Sequence, residues 1–370
     1  MSSQGEDIRL EDVRYDWSDE TINDSIMDED LLHVYQPFLD AGAHLAVLPV
    51  ARLHVESPVA FPGGVAFYAP GEVDLDQLNV IPNRSDTASL AEHSSAASGI
   101  TQDTLDRHPV VVLPCRFDWG AFRSAGHRTH LAFIRRLSEE VDLLSLNCVR
   151  FRSCRLEPID DLPAHAGQVA SNHMMAGALL YNGQMKDSRI VGGAAFTHYL
   201  TRGLGLPLDH LEWGAFPRNG ETGRVASHAL SLYASLLESD NQTARFMQAL
   251  SLLEFLASPD EYQRFEKVSK VIARYVARDA AEYQRMLTRF HELTGMKEPG
   301  SGQIVGYRTR VVHMGSRIEQ LLPSQEARKQ LFLELDGYIR PVIEHLVAHS
   351  EMSFVSYLEV REKLRPFEQG

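Results

Sequence analysis

Residues 40–218 alternate between short apolar runs and clusters of glycine and proline. Valine, isoleucine and aromatic residues are frequent in these runs, which favours strands over helices. Residues 130–144 instead carry apolar positions at the spacing of one helical face. The predicted strands cover residues 44–55, 63–71, 109–119, 146–156 and 169–183. This half of the chain is therefore predicted to be α+β.

The pattern changes after the turn-rich segment 216–223. Apolar residues now recur about every 3.6 positions, as on the buried face of a helix. The predicted helices cover residues 224–237, 242–257, 259–277, 280–293, 305–321, 325–348 and 354–363. Ser258 with Pro259 and Glu261 has the sequence of a capping box, and Asp279 can cap the next helix. The fold class predicted for the whole chain is α+β, a strand-rich α+β domain followed by an all-α helical bundle.

The net charge of −14 is concentrated at the front of the chain. Residues 1–32 contain eleven acidic residues and two arginines. The predicted organisation is a flexible acidic tail (1–32), an α+β domain (33–220) and a helical domain (221–370). The tail either solubilises the protein or is an RNA-mimicking or autoinhibitory segment, and the sequence does not choose between these roles.

The number of cysteines and the hydropathy of the chain indicate the cellular compartment in which the protein is expected. Three cysteines, Cys115, Cys148 and Cys154, suit buried free thiols in a reducing compartment better than a disulfide framework. No apolar run reaches the roughly 18 residues that span a bilayer, and the first residues lack the pattern of a secretory signal. The expectation is a cytoplasmic protein that does not enter a membrane.

The candidate catalytic residues lie in the segment GYRTRVVHMG, in which Arg308 and His313 form an R-x4-H pair. An imidazole can accept or donate a proton near neutral pH, and a guanidinium can hold a phosphate group. Such a pair could cleave RNA without a metal ion or cofactor. Spacing alone is weak, because thirty arginines and sixteen histidines produce about four such R-x4-6-H pairs by chance. The other pairs are Arg123 with His130, Arg285 with His291, and Arg340 with His345.

The surroundings favour Arg308 and His313 over the other pairs. The pair lies near the start of its predicted helix, where partial positive charge favours an anion. Glu254 is the single charge in the run ALSLLEFLA, and a carboxylate there needs a buried partner, for which Arg308 is the natural candidate. The helix is also locally basic. The residues expected to contact RNA are Tyr307, Arg310 and Arg317.

Helical geometry adds a constraint on this pair. Positions i and i+5 lie about 140° apart around a helix, so Arg308 and His313 cannot share one narrow stripe. Two such side chains can line opposite sides of a cleft. The spacing therefore favours a helix at an interface, where a symmetry mate supplies the facing wall.

The segment from about 239 to 347 resembles the HEPN superfamily, within it the Apea-like branch. The resemblance rests on RFMQALSLLEFLA, on the following helical hairpin and on GYRTRVVHMG. It implies that Arg308 and His313 are the catalytic pair of an endoribonuclease and that Glu254 orients them. It also implies a homodimer with a composite cleft, and a role as a toxin or antiviral-defence effector. The α+β half would then sense a trigger ligand or protein.

Two other functions remain open from the sequence. The helical domain could be a catalytically silent HEPN scaffold that binds a nucleotide or a partner protein. Alternatively, the α+β half could itself be an enzyme, although no residues in it identify a ligand.

Overall fold

The strand-rich half forms an antiparallel sheet of six strands in the computed structural model. Their order is β3-β4-β5-β1-β6-β7, and a separate parallel pair joins β2 to β8. The strands are β1 His44–Pro49, β2 Leu53–His54, β3 Val59–Ala60, β4 Ala66–Tyr68, β5 Val110–Cys115, β6 Gly177–Asn182, β7 Asp187–Gly192 and β8 Leu206–Pro207. All six residues of β1 and of β5 are buried, so both faces of the sheet are covered at its centre.

The structure describes eleven stretches of the chain. They are residues 8–10, 26, 30–78, 100–157, 162–168, 177–192, 206–208, 214, 216–239, 241–297 and 300–364. Most of the predicted acidic tail lies outside them, as does the first part of the predicted strand 169–183. Within the tail, Ile8 and Ile26 are buried, and a helix begins at Leu31.

Several helices pack against this sheet. One apolar cluster joins Phe38 to Leu45, Val47, Val112 and Leu179. The first helices are α1 Leu31–Val34, α2 Gln36–Asp40, α3 Gln102–Arg107, α4 Trp119–Ser124, α5 His127–Val141 and α6 Asn147–Ser153. The helix predicted at 130–144 is thus confirmed as α5, and a π-helical turn, Asp142–Leu146, connects it directly to α6.

The strand predicted at residues 146–156 is wrong, because this segment forms α6. Residues 146–151 are all buried, including Arg150, which is 0% exposed. A helix buried all round loses the alternation of apolar and polar faces that identifies helices in a sequence. Short apolar runs of this kind do not distinguish a buried helix from a buried strand.

The C-terminal half is helical. Its helices are α7 Glu221–Glu238, α8 Gln242–Ala257, α9 Phe265–Val276, α10 Ala280–Thr294, α11 Tyr307–Met314, α12 Ile318–Leu321, α13 Gln325–Ala348 and α14 Phe354–Glu362. Helices α7, α8, α9 and α13 pack on one another, α10 packs on α9, and α11 packs on α10. The predicted helical character of this half is confirmed. Residues 150–159 belong to the same compact unit as residues 214–370.

Two predicted helix boundaries are wrong. Helix α9 begins at Phe265 rather than at 259, and Ser258 has extended backbone angles at the end of α8. Between them, the large apolar side chain of Tyr262 is 78% exposed, so an earlier helical turn would gain no packing. The helix predicted at 305–321 is divided into α11 and α12 because Gly315 ends α11 in the left-handed conformation, with φ of 67°.

A buried polar cluster joins α7 and α13 to residues 151–154. Tyr233 donates a hydrogen bond of 2.6 Å to Asp336, which lies 3.3 Å from the Arg340 Nε atom. Arg340 in turn donates to the backbone carbonyls of Phe151 and Cys154. Burial raises the pKa of the Asp336 carboxyl, and its contacts with Tyr233 and Arg340 oppose that shift. The cluster is thus a buried ion pair whose two partners depend on each other.

All three cysteines are buried thiols, as the sequence predicts. Burial raises the pKa of Cys115 and of Cys154, which keeps both sulfurs as unreactive thiols. None of the helices in the described stretches has the length and apolar character needed to cross a bilayer.

We expect Asp336→Ala to lower the free energy of unfolding by about 3–5 kcal/mol, because it leaves the Arg340 guanidinium buried without its counterion. Urea denaturation followed by circular dichroism measures this loss. Glu266→Ala is the matched control, because Glu266 pairs with Lys270 on an exposed helix face at 3.3 Å. Equal unfolding midpoints for the two variants would contradict a structural role for the buried cluster.

The second prediction concerns pH. His345 on α13 lies 3.3 Å from the Tyr357 hydroxyl, and burial together with His349 lowers its pKa from 6.5 to about 4. Between these two values the unfolded chain binds a proton that the folded chain does not, so stability falls as pH decreases from 6.5 to about 4.

Thermal unfolding at several pH values within that window tests this prediction. His345→Gln should reduce the slope of melting temperature against pH. His291→Gln should leave that slope as in the wild type, because His291 is exposed on α10. A His345→Gln slope as steep as that of the wild type would show that other groups cause the pH dependence.

Candidate active site

Glu254 and Arg308 contact each other across two helices. The Glu254 Oε1 atom on α8 lies 3.1 Å from the Arg308 Nη2 atom on α11. Both side chains are partly buried, with exposed fractions of 23% and 34%. The prediction that these two residues meet is confirmed. Because both are only partly exposed, the contact is better shielded from solvent and salt than a pair on the open surface.

The Arg308 guanidinium is held on a second side by an aromatic ring. Its central carbon lies 5.7 Å from the centroid of Phe265, within the range of a cation–π interaction. The Arg308 Nε atom is buried and has no hydrogen-bond partner among the described residues. The guanidinium is therefore restrained on two sides, by Glu254 and by Phe265.

Backbone contacts fix the start of α11 against the end of α10. Gly306 donates a backbone hydrogen bond of 3.0 Å to Met296, and the Thr309 hydroxyl donates one of 2.7 Å to Thr294. A Cβ atom on Gly306 would lie 2.7 Å from the backbone nitrogens of Gly295 and Met296. Glycine is thus required immediately before Tyr307 by a close approach of two backbone segments.

His313 lies on the open side of α11. This helix has no buried residue, and His313 is exposed at its C-terminal end. Its neighbours Val312 and Met314 are 50% and 59% exposed. In the described part of the chain, no hydrogen bond or ion pair joins the imidazole to Arg308, to Glu254 or to any other side chain. The imidazole is therefore accessible to a ligand.

The residues predicted to contact RNA all lie on or just after α11. Tyr307 and Arg310 are partly exposed, and Arg317 is exposed. The Arg317 backbone N–H donates to the Gln320 side chain at the start of α12, which leaves the guanidinium outside the helix. The structure brings Glu254 to Arg308, but among the described residues no side-chain hydrogen bond or ion pair joins Tyr307, Arg310 or Arg317 to either of them.

The competing pairs have different surroundings. Arg340 is buried in the polar cluster, and His345 is partly buried against Tyr357, so this pair has a structural role. His130 lies 2.7 Å from the Phe122 carbonyl oxygen. Arg285 and His291 are both exposed on α10, and neither is paired with a carboxylate in the described stretches. Of the four pairs, only Arg308 and His313 combine a restrained arginine with an accessible histidine.

Sequence reasoning missed Phe265 and Gly306. Phe265 has the spacing of an ordinary apolar position, and nothing in its neighbourhood indicates that it lies under Arg308. Gly306 lies two positions before Arg308, which is a usable signal, since a glycine before a helix often marks a close backbone contact. Among the described residues, no three His, Cys, Asp or Glu side chains form a group that could hold a metal ion.

Comparison of the chain with protein-family models, with curated proteins and with solved structures finds no match. Function is therefore inferred from Glu254, Arg308 and His313 and from what surrounds them.

Proposed function

We propose that this protein is a metal-independent endoribonuclease of the HEPN type, in the Apea-like branch, and that it acts as a toxin or antiviral-defence effector. The observation that supports this best is the 3.1 Å contact between Glu254 and Arg308. This contact restrains Arg308, the arginine of the R-x4-H pair. The same short helix, α11, exposes His313, the histidine of the pair. An acidic residue on an earlier helix is also what the HEPN resemblance implies.

Arg308 binds the phosphate in this mechanism. A guanidinium stays protonated at all physiological pH values and presents several donors in one plane. Glu254 and Phe265 restrict its motion, so less conformational entropy is lost when a phosphate binds. The charge on the guanidinium opposes the negative charge that develops on the phosphate oxygens in the transition state.

His313 transfers the proton. The ribose 2′-hydroxyl attacks the adjacent phosphorus while a general base takes its proton, and the bond from phosphorus to the 5′-oxygen breaks as that oxygen gains a proton. The products are a 2′,3′-cyclic phosphate and a 5′-hydroxyl end. This route consumes no water in the cleavage step and needs no metal-bound nucleophile.

A second copy of the chain completes the cleft. The angle between Arg308 and His313 around α11 leaves the pair without a facing wall, and Val312 and Met314 expose apolar surface beside His313. Two-fold dimers with self-complementary interfaces are the commonest protein assemblies. A homodimer through α11 would cover this apolar surface and place two active-site pairs in one groove.

The α+β half serves as the sensor in this proposal. The trigger that this half senses would be a small ligand or a protein. The proposed location of the whole protein is the cytoplasm. Activity at the helical site would then depend on the state of the α+β half.

The first test is chemical. Purified protein should cut single-stranded RNA in the presence of EDTA and leave 2′,3′-cyclic phosphate ends, while DNA of the same sequence should survive because it lacks the 2′-hydroxyl. His313→Ala should reduce cleavage by about 100 to 10,000-fold, because it removes proton transfer. Gel analysis of labelled oligonucleotides measures both effects.

Arg308→Lys should also lose most of its RNA cleavage activity, since lysine keeps the charge but lacks the planar set of donors. His291→Ala is the matched control, because His291 belongs to an exposed R-x5-H pair on α10. If EDTA stops cleavage, or if His291→Ala is as damaging as His313→Ala, the active site is elsewhere.

The second test concerns assembly. Light scattering should report a dimer at micromolar concentration, and Met314→Asp should shift it toward the monomer and reduce cleavage, because a carboxylate would be buried in the interface. Val355→Asp is the control, since Val355 is 69% exposed on α14 and its substitution should change neither property. A wild-type monomer, with or without RNA, would contradict the composite cleft.

A further inference from the structure

A cavity of about 290 Å³ opens between the first turns of α8 and α13. Arg245 of α8 and the adjacent Arg328 and Lys329 of α13 all line it. Their positive charges repel one another, and an anion bound among them would reduce that repulsion, while Lys329 also pairs with Glu157 at 2.9 Å. The first turns of both helices add partial positive charge on the same side.

The Arg328 guanidinium lines the cavity and is only partly satisfied by hydrogen bonds. One of its terminal nitrogens donates to the backbone carbonyls of Leu322 and Pro323, at 2.8 and 2.7 Å. Its Nε atom is buried and has no hydrogen-bond partner in the described part of the chain. No carboxylate pairs with this guanidinium in the same stretches. A partly buried arginine without a counterion is costly unless a ligand supplies the negative charge.

Of the other lining residues, Glu326 opposes an anion and Gln242 can bind one. Glu326 is exposed, so solvent screens its charge, and its carboxylate accepts a hydrogen bond of 2.7 Å from Gln330 along the helix. The Gln242 side-chain oxygen is buried without a partner among the described residues. Amide oxygen and nitrogen are interchangeable by a flip of the group, so Gln242 can present a donor to the cavity instead.

Arg245 is fixed before any ligand binds. It is 7% exposed, donates to the backbone carbonyls of Ser239 and Leu237, and lies 5.7 Å from the centre of the Phe332 ring. A positive charge held in place loses little entropy on binding, which favours a compact and highly charged group over a diffuse one. The size of the cavity is at the lower end of ligand pockets, which suits a phosphate or diphosphate group.

We propose that this cavity is a binding site for a phosphate group, in which Arg328 is the principal ligand and Arg245, Lys329 and Gln242 complete the shell. The phosphate belongs either to an RNA strand or to a small phosphorylated molecule. The site does not depend on ribonuclease activity, because none of its residues is part of the Arg308 and His313 pair.

Isothermal titration calorimetry of the full-length chain with pyrophosphate tests the proposal. Wild type should bind, and Arg328→Gln should weaken binding roughly tenfold or more, because charge-assisted hydrogen bonds are lost. Lys329→Gln should weaken binding by a smaller factor, since Lys329 is exposed and also pairs with Glu157 at 2.9 Å. Arg285→Gln removes one exposed positive charge from α10 and should change nothing.

Lys329→Gln is also the variant that disturbs folding less, because no backbone carbonyl in the described stretches accepts a hydrogen bond from the Lys329 side chain, whereas two accept one from Arg328. Circular dichroism of each variant identifies any loss of folding. No binding of pyrophosphate to wild type at millimolar concentration would overturn the proposal. Wild-type affinity in both Arg328→Gln and Lys329→Gln would overturn it as well.

A 2′-O-methyl RNA oligonucleotide, which cannot be cleaved by the 2′-hydroxyl route, identifies the source of the phosphate. If Arg328→Gln weakens RNA binding and pyrophosphate displaces the RNA, the cavity holds a backbone phosphate of the RNA. If RNA binding is unchanged while pyrophosphate binding falls, the cavity holds a small phosphorylated molecule. Either result supports the site, and both are independent of whether the protein cleaves RNA.

Discussion

A carboxylate in an apolar helix constrains the whole helical half of this protein. Glu254 is the only charge in the second half of α8, which packs against α7, α9 and α13. An ionised side chain in such surroundings is stable only with a cation close by. Arg308 supplies that cation from α11, some fifty residues later in the chain. The position of α11 is thus set by an electrostatic requirement of α8.

Polar and backbone contacts, rather than an apolar face, hold α11 in place. Most helices of this length owe their stability to burial of one face, yet α11 buries none of its side chains. Its anchors are the Glu254–Arg308 pair, the Thr309 hydroxyl and the close approach of Gly306 to Met296. A helix held from one side in this way keeps its other side open. This explains why His313, Val312 and Met314 are all exposed in one short segment.

The sequence predicts helices where amphipathic spacing and caps agree, and it fails where burial removes the contrast between faces. Helices α8 and α13 begin at the predicted residues because polar N-caps, Asn241 and Ser324, accept hydrogen bonds from their first turns. The strand predicted at residues 146–156 is wrong because residues 146–151 are all buried, so no exposed polar face distinguishes this helix from a strand. The Glu254–Arg308 contact was predictable because one carboxylate stood alone in an apolar run. Its Phe265 partner was not, since that contact depends on how α9 and α11 approach each other.

The overall acidity of the chain does not prevent it from binding a polyanion. At physiological ionic strength, charges separated by more than about 8 Å are largely screened, so local groups outweigh the net charge of −14. The negative charge is concentrated in residues 1–32, whereas two groups of cations lie on the helical half. One group, Arg308, Arg310 and Arg317, lies on or just after α11, and the other lines the cavity with Arg328. Each phosphate held by such a group releases counterions from the nucleic acid, and this release favours binding whatever the charge of the rest of the protein. An acidic chain with arginines gathered on two helix ends is therefore compatible with RNA as its ligand.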